Sequence, residues 1–208
     1  DQPRSRGLGD VYKRQENNLN PVNESIKEEL IKIDNYVEQV LFYARSENVE
    51  KDYLIKDVKL SELVNSVIKR NKKDLINKHV KIELENLEID VASDKKWLEF
   101  ILNQIINNAI KYVDETPIIK LFAKQYKDRV ELMIKDNGIG ILENELNRVF
   151  DKGFTGTTGR TKQKSTGIGL YLCKKLCYRL NHEIKIDSNS HGTVVTLVFP
   201  YSSHITLQ

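Results

Sequence analysis

Seven of the ten glycines in this 208-residue chain fall between Gly138 and Gly169, and five of them lie in 136–166, a stretch with neither a helical nor a strand period. An irregular, glycine-rich segment of that length inside an otherwise regular chain is uncommon, and such segments usually carry function. Glycine lets the main chain come close to a ligand or to another main chain. A segment like this has to be held from both sides by regular elements, and the flanking sequence supplies them. Two alternating apolar runs, 118–126 and 129–135, precede it, and a helical pattern over 167–180 follows. Strands leading into a glycine-rich loop that opens onto a helix place the chain among folds that combine a sheet with helices.

The remaining pattern extends that frame. Ile26, Leu30, Ile33, Val37, Val40, Leu41 and Ala44 recur at alternating steps of about four and three. That spacing predicts a helical arm with one apolar seam, and such a seam needs a partner helix. Residues 47–58 are charged and read as a linker. A second amphipathic helix is expected over 60–78, carrying Leu63, Val64, Val67, Ile68 and Leu75 on one face, and a strand at Val80, Ile82 and Leu84. A third helix is expected over 94–112, and strands over 183–187 and 193–199 close the unit.

Composition excludes several classes. With 39% hydrophobic and 30% charged residues the chain can build a core, so wholesale disorder is excluded. No run of 18 or more apolar residues is present, and two cysteines do not make a disulfide scaffold, so a reducing, cytosolic setting is expected. Residues 1–15 carry Arg4, Arg6, Lys13 and Arg14 against Asp1 and Asp10, which accounts for +2 of the formal +3. The mild basicity is therefore no nucleic-acid footprint, and no nucleic-acid partner is expected. Those fifteen residues read as a non-native or disordered leader outside the fold, and 203–208 as a tail.

Side chains capable of chemistry cluster in four places. Gln104, Asn108 and Lys111 sit at i, i+4 and i+7 and share one face of the third helix. Amide oxygens can complete a Mg²⁺ shell of water and phosphate, and an ammonium can neutralise phosphate. A polar helix face in water is the plainer reading of that triplet alone. Asp136-Asn137-Gly138-Ile139-Gly140-Ile141 follows a strand directly, and a buried carboxylate there can accept a hydrogen bond from an exocyclic amine. Taken alone, it is equally a strand-ending turn. Phe150 and Phe154 stand in a loop with Gly153, Gly156 and Gly159, where aromatic packing can pin a flap or fill a small loop core, and residues 142–166 are expected to form a lid ordered by the ligand. Thr166-Gly167-Ile168-Gly169-Leu170 opens a helix whose free N–H groups and dipole suit phosphate. No G-x-x-x-x-G-K-[ST] occurs, and no G-x-G-x-x-G follows a strand, so neither a P-loop nor a Rossmann site is expected.

The order of these boxes is more specific than any one of them. An Asn box on a helix, D-x-G-x-G after a strand, paired Phe in a loop, G-x-G on a helix and a closing Gly192-Thr193 resembles the ATP-binding fold of sensor histidine kinases over residues 52–200. The resemblance implies an α+β fold, a two-layer α/β sandwich of the histidine-kinase, gyrase and chaperone ATPase type, over 51–202. It implies that 16–50 is the second helix of a dimerisation hairpin, through which the intact protein self-associates. Asp94-Lys95-Lys96-Trp97-Leu98, Gln104 and the 152–160 segment look like the intramembrane-sensing kinases of Gram-positive bacteria, which respond to antimicrobial peptides beside an ABC transporter. By that resemblance ATP and Mg²⁺ are the ligands, a response regulator is the partner, and the chain is the cytoplasmic part of a protein anchored in the cell membrane. Asn108 matches the Mg²⁺-chelating Asn, and Gln104 stands where many relatives have a second Asn. Lys111 matches the phosphate-facing Lys and Tyr112 the aromatic beside adenine. Asp136 matches the adenine-reading Asp, with Gly138, Gly140, Ile141 and Thr193 shaping the pocket. Phe150 and Phe154 match the lid pair, Thr166, Gly167, Ile168, Gly169 and Leu170 the phosphate side, and Arg160 is the candidate for the terminal phosphate.

One departure is expected to matter. The family's phosphoacceptor is a His followed by an acid and soon by a Pro on a bundle helix, and His79, His182, His191 and His204 have no such context. They read as surface or loop histidines, and the chain as a kinase core cut between its two hairpin helices, able to bind ATP without phosphorylating itself. Cys173, Cys177 and Trp97 read as core. Two other readings of the same fold stand beside the kinase: an ATPase or chaperone that uses the pocket for clamp motion, and an interaction module without catalysis. The seam of the arm opposes the first, and the intact Asn108, Asp136, Gly167 and Gly169 oppose the second.

Overall fold

The computed structural model describes residues 53–113, 115–157 and 166–201, together with Ile26, Leu30 and Val37. The chain divides into two units, Asp1–Asn48 and Val49–Gln208. In the first, Ile26, Leu30 and Val37 are helical and exposed; the rest of the expected arm and the leader lie outside the described residues. His204 and the tail lie outside them as well.

The second unit begins with β1 (Lys56–Lys59), α1 (Leu60–Arg70), α2 (Lys72–Asn77), β2 (Lys81–Glu85) and β3 (Asp90–Ser93). It continues through α3 (Lys95–Lys111), β4 (Ile118–Gln125) and β5 (Arg129–Asp136), and then the short α4 (Glu143–Leu146). It ends with α5 (Gly169–Arg179), β6 (Glu183–Asn189) and β7 (Gly192–Pro200). Five strands form one mixed sheet in the order β2-β4-β5-β7-β6, and β1 and β3 pair separately. The β2–β4 pair is parallel, so it needs a crossover, and β3 with α3 provides it. The other pairs of the main sheet are antiparallel.

Alternation decides which face is covered. Ile119, Leu121 and Ala123 on β4, Val130, Leu132 and Ile134 on β5, and Val195, Leu197 and Phe199 on β7 are buried. The register puts Leu121 opposite Ile134 and Ile134 opposite Val195, so these residues share one face. Helices α1, α3 and α5 supply the second layer, with α3 contacting α1, α5 and β5. Leu98, Ile101, Leu102, Ile105 and Ile106 of α3 are fully enclosed. Cys173 and Cys177 are buried on α5, where desolvation pushes the Cys177 thiol up to about 12 and Cys173 up as well. They are apolar filling, as is Trp97.

Two buried polar residues fix how α3 begins and what it packs against. The Asp94 carboxylate caps α3, accepting from Lys96 N at 3.0 Å and Trp97 N at 3.2 Å, and its second oxygen takes Leu54 N at 2.9 Å. Asn71 donates through one amide to Val67 O at 2.8 Å and Asn103 Oδ1 at 2.7 Å. This contact corrects the expectation of one helix over 60–78. Asn71 leaves the helix at φ −94°, ψ 8°, and the chain restarts as α2. The expected linker is also corrected, because Lys56–Lys59 forms β1 and pairs Val58 with Val91.

His182 departs from its surface reading. Its Nε2 lies 2.9 Å from Ser93 Oγ, and its ring meets Phe199 edge-on at 4.8 Å. Nδ1 is enclosed without a hydrogen-bond partner. Desolvation lowers the imidazole pKa from 6.5 to about 4. The folded state therefore favours neutral His182, and its contribution to stability is complete above the unfolded pKa of 6.5 and lost as pH falls from there towards 4. Thermal midpoints measured down that window should fall more steeply for the native chain than for His182→Gln. Parallel curves would exclude His182 as the titrating group.

Candidate nucleotide site

The sequence boxes meet through main-chain contacts that glycine permits. Tyr112, at the C-terminal end of α3, accepts from Ile139 N at 3.2 Å, and its carbonyl lies where a Cβ on Gly138 would be. Gly140 has φ +69° and presses against the Asn189 carbonyl, so both its conformation and its space exclude a side chain. Gly153 N donates to Gly167 O at 3.0 Å, joining the loop of Phe154 to the entry of α5. Gly169 faces Gln104, whose Oε1 would lie 2.9 Å from an added Cβ. The Asn-box helix, the D-x-G-x-G turn, the Phe loop and the G-x-G helix thus form one continuous cluster.

Asp136 ends β5, and its register partner Ile119 places it on the helix-covered face. Its Oδ1 accepts from Gly138 N at 2.9 Å and Thr193 N at 3.2 Å. Among the described residues no hydrogen bond reaches Oδ2. Burial raises the Asp136 pKa, and the two backbone donors partly offset that. The Ser188 hydroxyl accepts from Ile141 N, donates to Gly192 O and meets Thr193 Oγ1, each at 2.9 Å.

On α3, Asn108 is half-buried, and its side-chain amide has no hydrogen bond among the described residues. Burial, with the like charge of Lys78 added, lowers the pKa of Lys111. Lys78 itself donates to Ile110 O at 2.7 Å, at the C-terminal end of α3. Lys111 Nζ stands 5.3 Å from the centre of the Tyr112 ring. At α5, Ile168 is the N-cap, and among the described residues no side-chain hydrogen bond caps the helix. Thr166 Oγ1 reaches Ile168 N only at 3.4 Å, and Leu170 lies in the first turn.

The aromatic pair is half-buried and held by cations. Lys174 of α5 lies 5.3 Å from the Phe150 ring, and the Arg148 guanidinium lies 4.7 Å from the Phe154 ring. Glu145 Oε1 accepts from Thr157 N at 2.8 Å and Thr157 Oγ1 at 2.7 Å, which closes the 145–157 segment on itself. Arg160 and residues 158–165 of the expected lid lie outside the described residues. Arg148, Glu145 and Lys78 had no signal in the sequence beyond residue type. Ser188 stands just before the 189–192 turn, and only its position in front of Gly192-Thr193 hinted at it. A separate open groove lined by Asn86, Ile89, Gln125 and Tyr126 lies at the other end of β4 from Asp136.

No group of three or more His, Cys, Asp or Glu fit for a metal occurs among the described residues. The donors available near the phosphate-suited helix end are amide oxygens. Asn108 with its unengaged amide fits a Mg²⁺ ion whose other ligands are water and phosphate, and Gln104 lies beside Gly169 on the same helix face.

Residues 93–203 match a family model described as histidine kinase-, DNA gyrase B- and HSP90-like ATPase. The chain is 38% identical over 182 residues to the sensor histidine kinase YxdK of Bacillus subtilis, covering 86% of this chain and 56% of YxdK. It is 38% identical over 174 residues to the sensor protein BceS of the same organism, covering 83% and 52%. The chain thus spans about half the length of the curated relatives it matches. Its fold is similar to that of histidine kinase ThkA solved in complex with the response regulator protein TrrA, with a TM-score of 0.67 at 21% identity, covering 85% of this chain and 49% of that one.

Proposed function

Because this chain belongs to the histidine kinase-, DNA gyrase B- and HSP90-like ATPase family, we propose that its pocket binds Mg-ATP and presents the γ-phosphoryl group to a histidine of a sensor kinase. The observation that carries the reading is the half-buried carboxylate of Asp136, with Oδ1 engaged by two backbone donors and Oδ2 open, inside a cluster that joins all five boxes. Oδ2 accepts from the adenine amine, while Gly138, Gly140, Ile141 and Thr193 shape the base pocket and Tyr112 lies beside it. Thr166, Gly167, Ile168, Gly169 and Leu170 offer the phosphates the start of α5, where the N–H groups and the helix dipole favour an anion. Lys111 adds a positive charge, and Phe150 and Phe154 cover the pocket from the loop. Asn108, with Gln104, holds Mg²⁺, which when bound neutralises phosphate charge.

The protein's part in the chemistry is positioning and charge neutralisation. An imidazole nitrogen of the acceptor histidine attacks the γ-phosphorus. A P–N bond forms, the bond to the β-phosphate bridging oxygen breaks, ADP leaves with the bonding electron pair, and the other imidazole nitrogen gives its proton to water. Likeness to the sensor histidine kinase YxdK and the sensor protein BceS supports the sensor-kinase reading, and the antimicrobial-peptide-response type rests on the resemblance of residues 94–98, Gln104 and 152–160. The response regulator seen with ThkA supports the same class of partner here. An ABC transporter beside the intact protein, self-association through the hairpin, a membrane anchor and Arg160 at the terminal phosphate complete the proposal.

Acid-labile labelling tests it. With γ-labelled ATP, Mg²⁺ and an added hairpin helix bearing the acceptor histidine, label is expected on that helix and on none of His79, His182, His191 and His204. Label on one of those four overturns the assignment of the acceptor. Nucleotide bound with no label anywhere favours the non-kinase module.

A further inference from the structure

Ser188 has one hydroxyl proton, and the structure shows where it goes. The Gly192 carbonyl at 2.9 Å can only accept, so Ser188 donates there. Ile141 N at 2.9 Å can only donate, so it takes one Ser188 lone pair. The remaining 2.9 Å contact, to Thr193 Oγ1, must therefore be a donation from Thr193 to Ser188. With its proton committed, the Thr193 hydroxyl has only lone pairs left to offer. Thr193 also donates its backbone N–H to Asp136 Oδ1, so the residue that bears this hydroxyl is bonded to the carboxylate.

Resting on the reading of Asp136 as the adenine-facing group, we propose that Ser188 is a specificity-positioning residue: by holding the Thr193 proton it keeps this wall of the pocket all-acceptor and selects purines with a 6-amino group over those with a 6-oxo group. A 6-oxo purine presents an acceptor where adenine presents a donor, and it then meets lone pairs at Asp136 Oδ2 and at Thr193 Oγ1. Without Ser188 the Thr193 hydroxyl is free to rotate, and its proton can turn to the 6-oxo group. Loss of Ser188 also releases Ile141 N and Gly192 O, which loosens the D-x-G-x-G turn for every nucleotide. The two consequences separate, because the second lowers affinity alike for both purines and only the first changes their ratio.

The experiment measures dissociation constants of ATP and ITP, with Mg²⁺ present, for the native chain, Ser188→Ala and Ser188→Thr. The native chain should prefer ATP. Ser188→Ala should lower ATP affinity and shrink the ATP-over-ITP preference by about fivefold, the scale of one net hydrogen bond. Ser188→Thr keeps the hydroxyl and should restore the preference. If Ser188→Ala does not fold, Ser188→Cys, close in size but a weak donor, carries the same expectation. Equal losses of ATP and ITP overturn the proposal and leave Ser188 a purely structural residue. A native chain that binds ATP and ITP equally overturns the adenine reading of Asp136 itself, and the role of Ser188 with it.

Discussion

Asp136→Asn should weaken ATP binding by on the order of 1–3 kcal/mol, the range for leaving a buried polar group badly matched. The argument rests on which oxygen is committed. Oδ1 accepts from Gly138 N and Thr193 N, and an Asn side chain can keep both contacts through its own oxygen. That choice puts the amide NH₂ where Oδ2 was, and it would then face the adenine amine donor to donor. ATP should lose affinity, while a purine triphosphate with no 6-amino group should lose little. Because the backbone contacts survive, the fold should survive too, so the melting temperature should barely move while the ATP titration does. Burial raises the Asp136 pKa, so the carboxylate protonates from the acid side earlier than an exposed aspartate. The affinity of the native chain for ATP should accordingly fall with decreasing pH before that of Asp136→Asn, whose pH profile should be flatter in the acid range. Equal losses for adenine and 6-oxo nucleotides would remove Asp136 from base recognition.

The frame around this carboxylate was legible in the sequence wherever a periodic pattern is imposed by one buried face. Helix α3 was expected over 94–112 and runs Lys95–Lys111 because its Ile and Leu residues are enclosed and Asp94 caps it. The strands of β4, β5 and β7 followed from alternation, since one face of each carries the core. What was missed depends on contacts between distant residues. β1 and β3 are four residues each, and only Val58 and Val91 point to their pairing. At the break, Asn71 bonds both to Val67 O, four positions back, and to Asn103, 32 positions away, and the second contact is invisible to local pattern. His182 looked like a loop histidine because its burial comes from Phe199 and Ser93, which arrive from elsewhere in the chain.

The candidate site divides in the same way. Its glycines and Asp136 could be picked out because their chemistry is local: a close approach needs Gly, and an amine needs an acceptor. Ser188 and Arg148 could not, since a hydroxyl committed between two turns and a guanidinium over Phe154 acquire meaning only when the loops meet. Asn103 shows the opposite error that a motif invites. It lies in the Asn box, yet its amide oxygen is used up by Asn71 in the core, whereas Asn108 one and a half turns later keeps its amide unengaged among the described residues.

That contrast makes Asn108→Ala the second large expected effect. The amide of Asn108 has no structural hydrogen bond to lose among the described residues, so removing it should leave stability nearly unchanged. In the proposed site its oxygen is the Mg²⁺ ligand, and a polar contact to a charged group contributes about 1.5–3 kcal/mol. The measurement is calorimetric titration of the native chain and Asn108→Ala with ATP, once with Mg²⁺ and once with chelator. The native chain should bind ATP more tightly with Mg²⁺, and Asn108→Ala should lose most of that difference while binding metal-free ATP much as before. An affinity of the native chain that does not respond to Mg²⁺, or equal losses for Asn108→Ala in both conditions, would contradict a Mg-ATP pocket built from these five boxes.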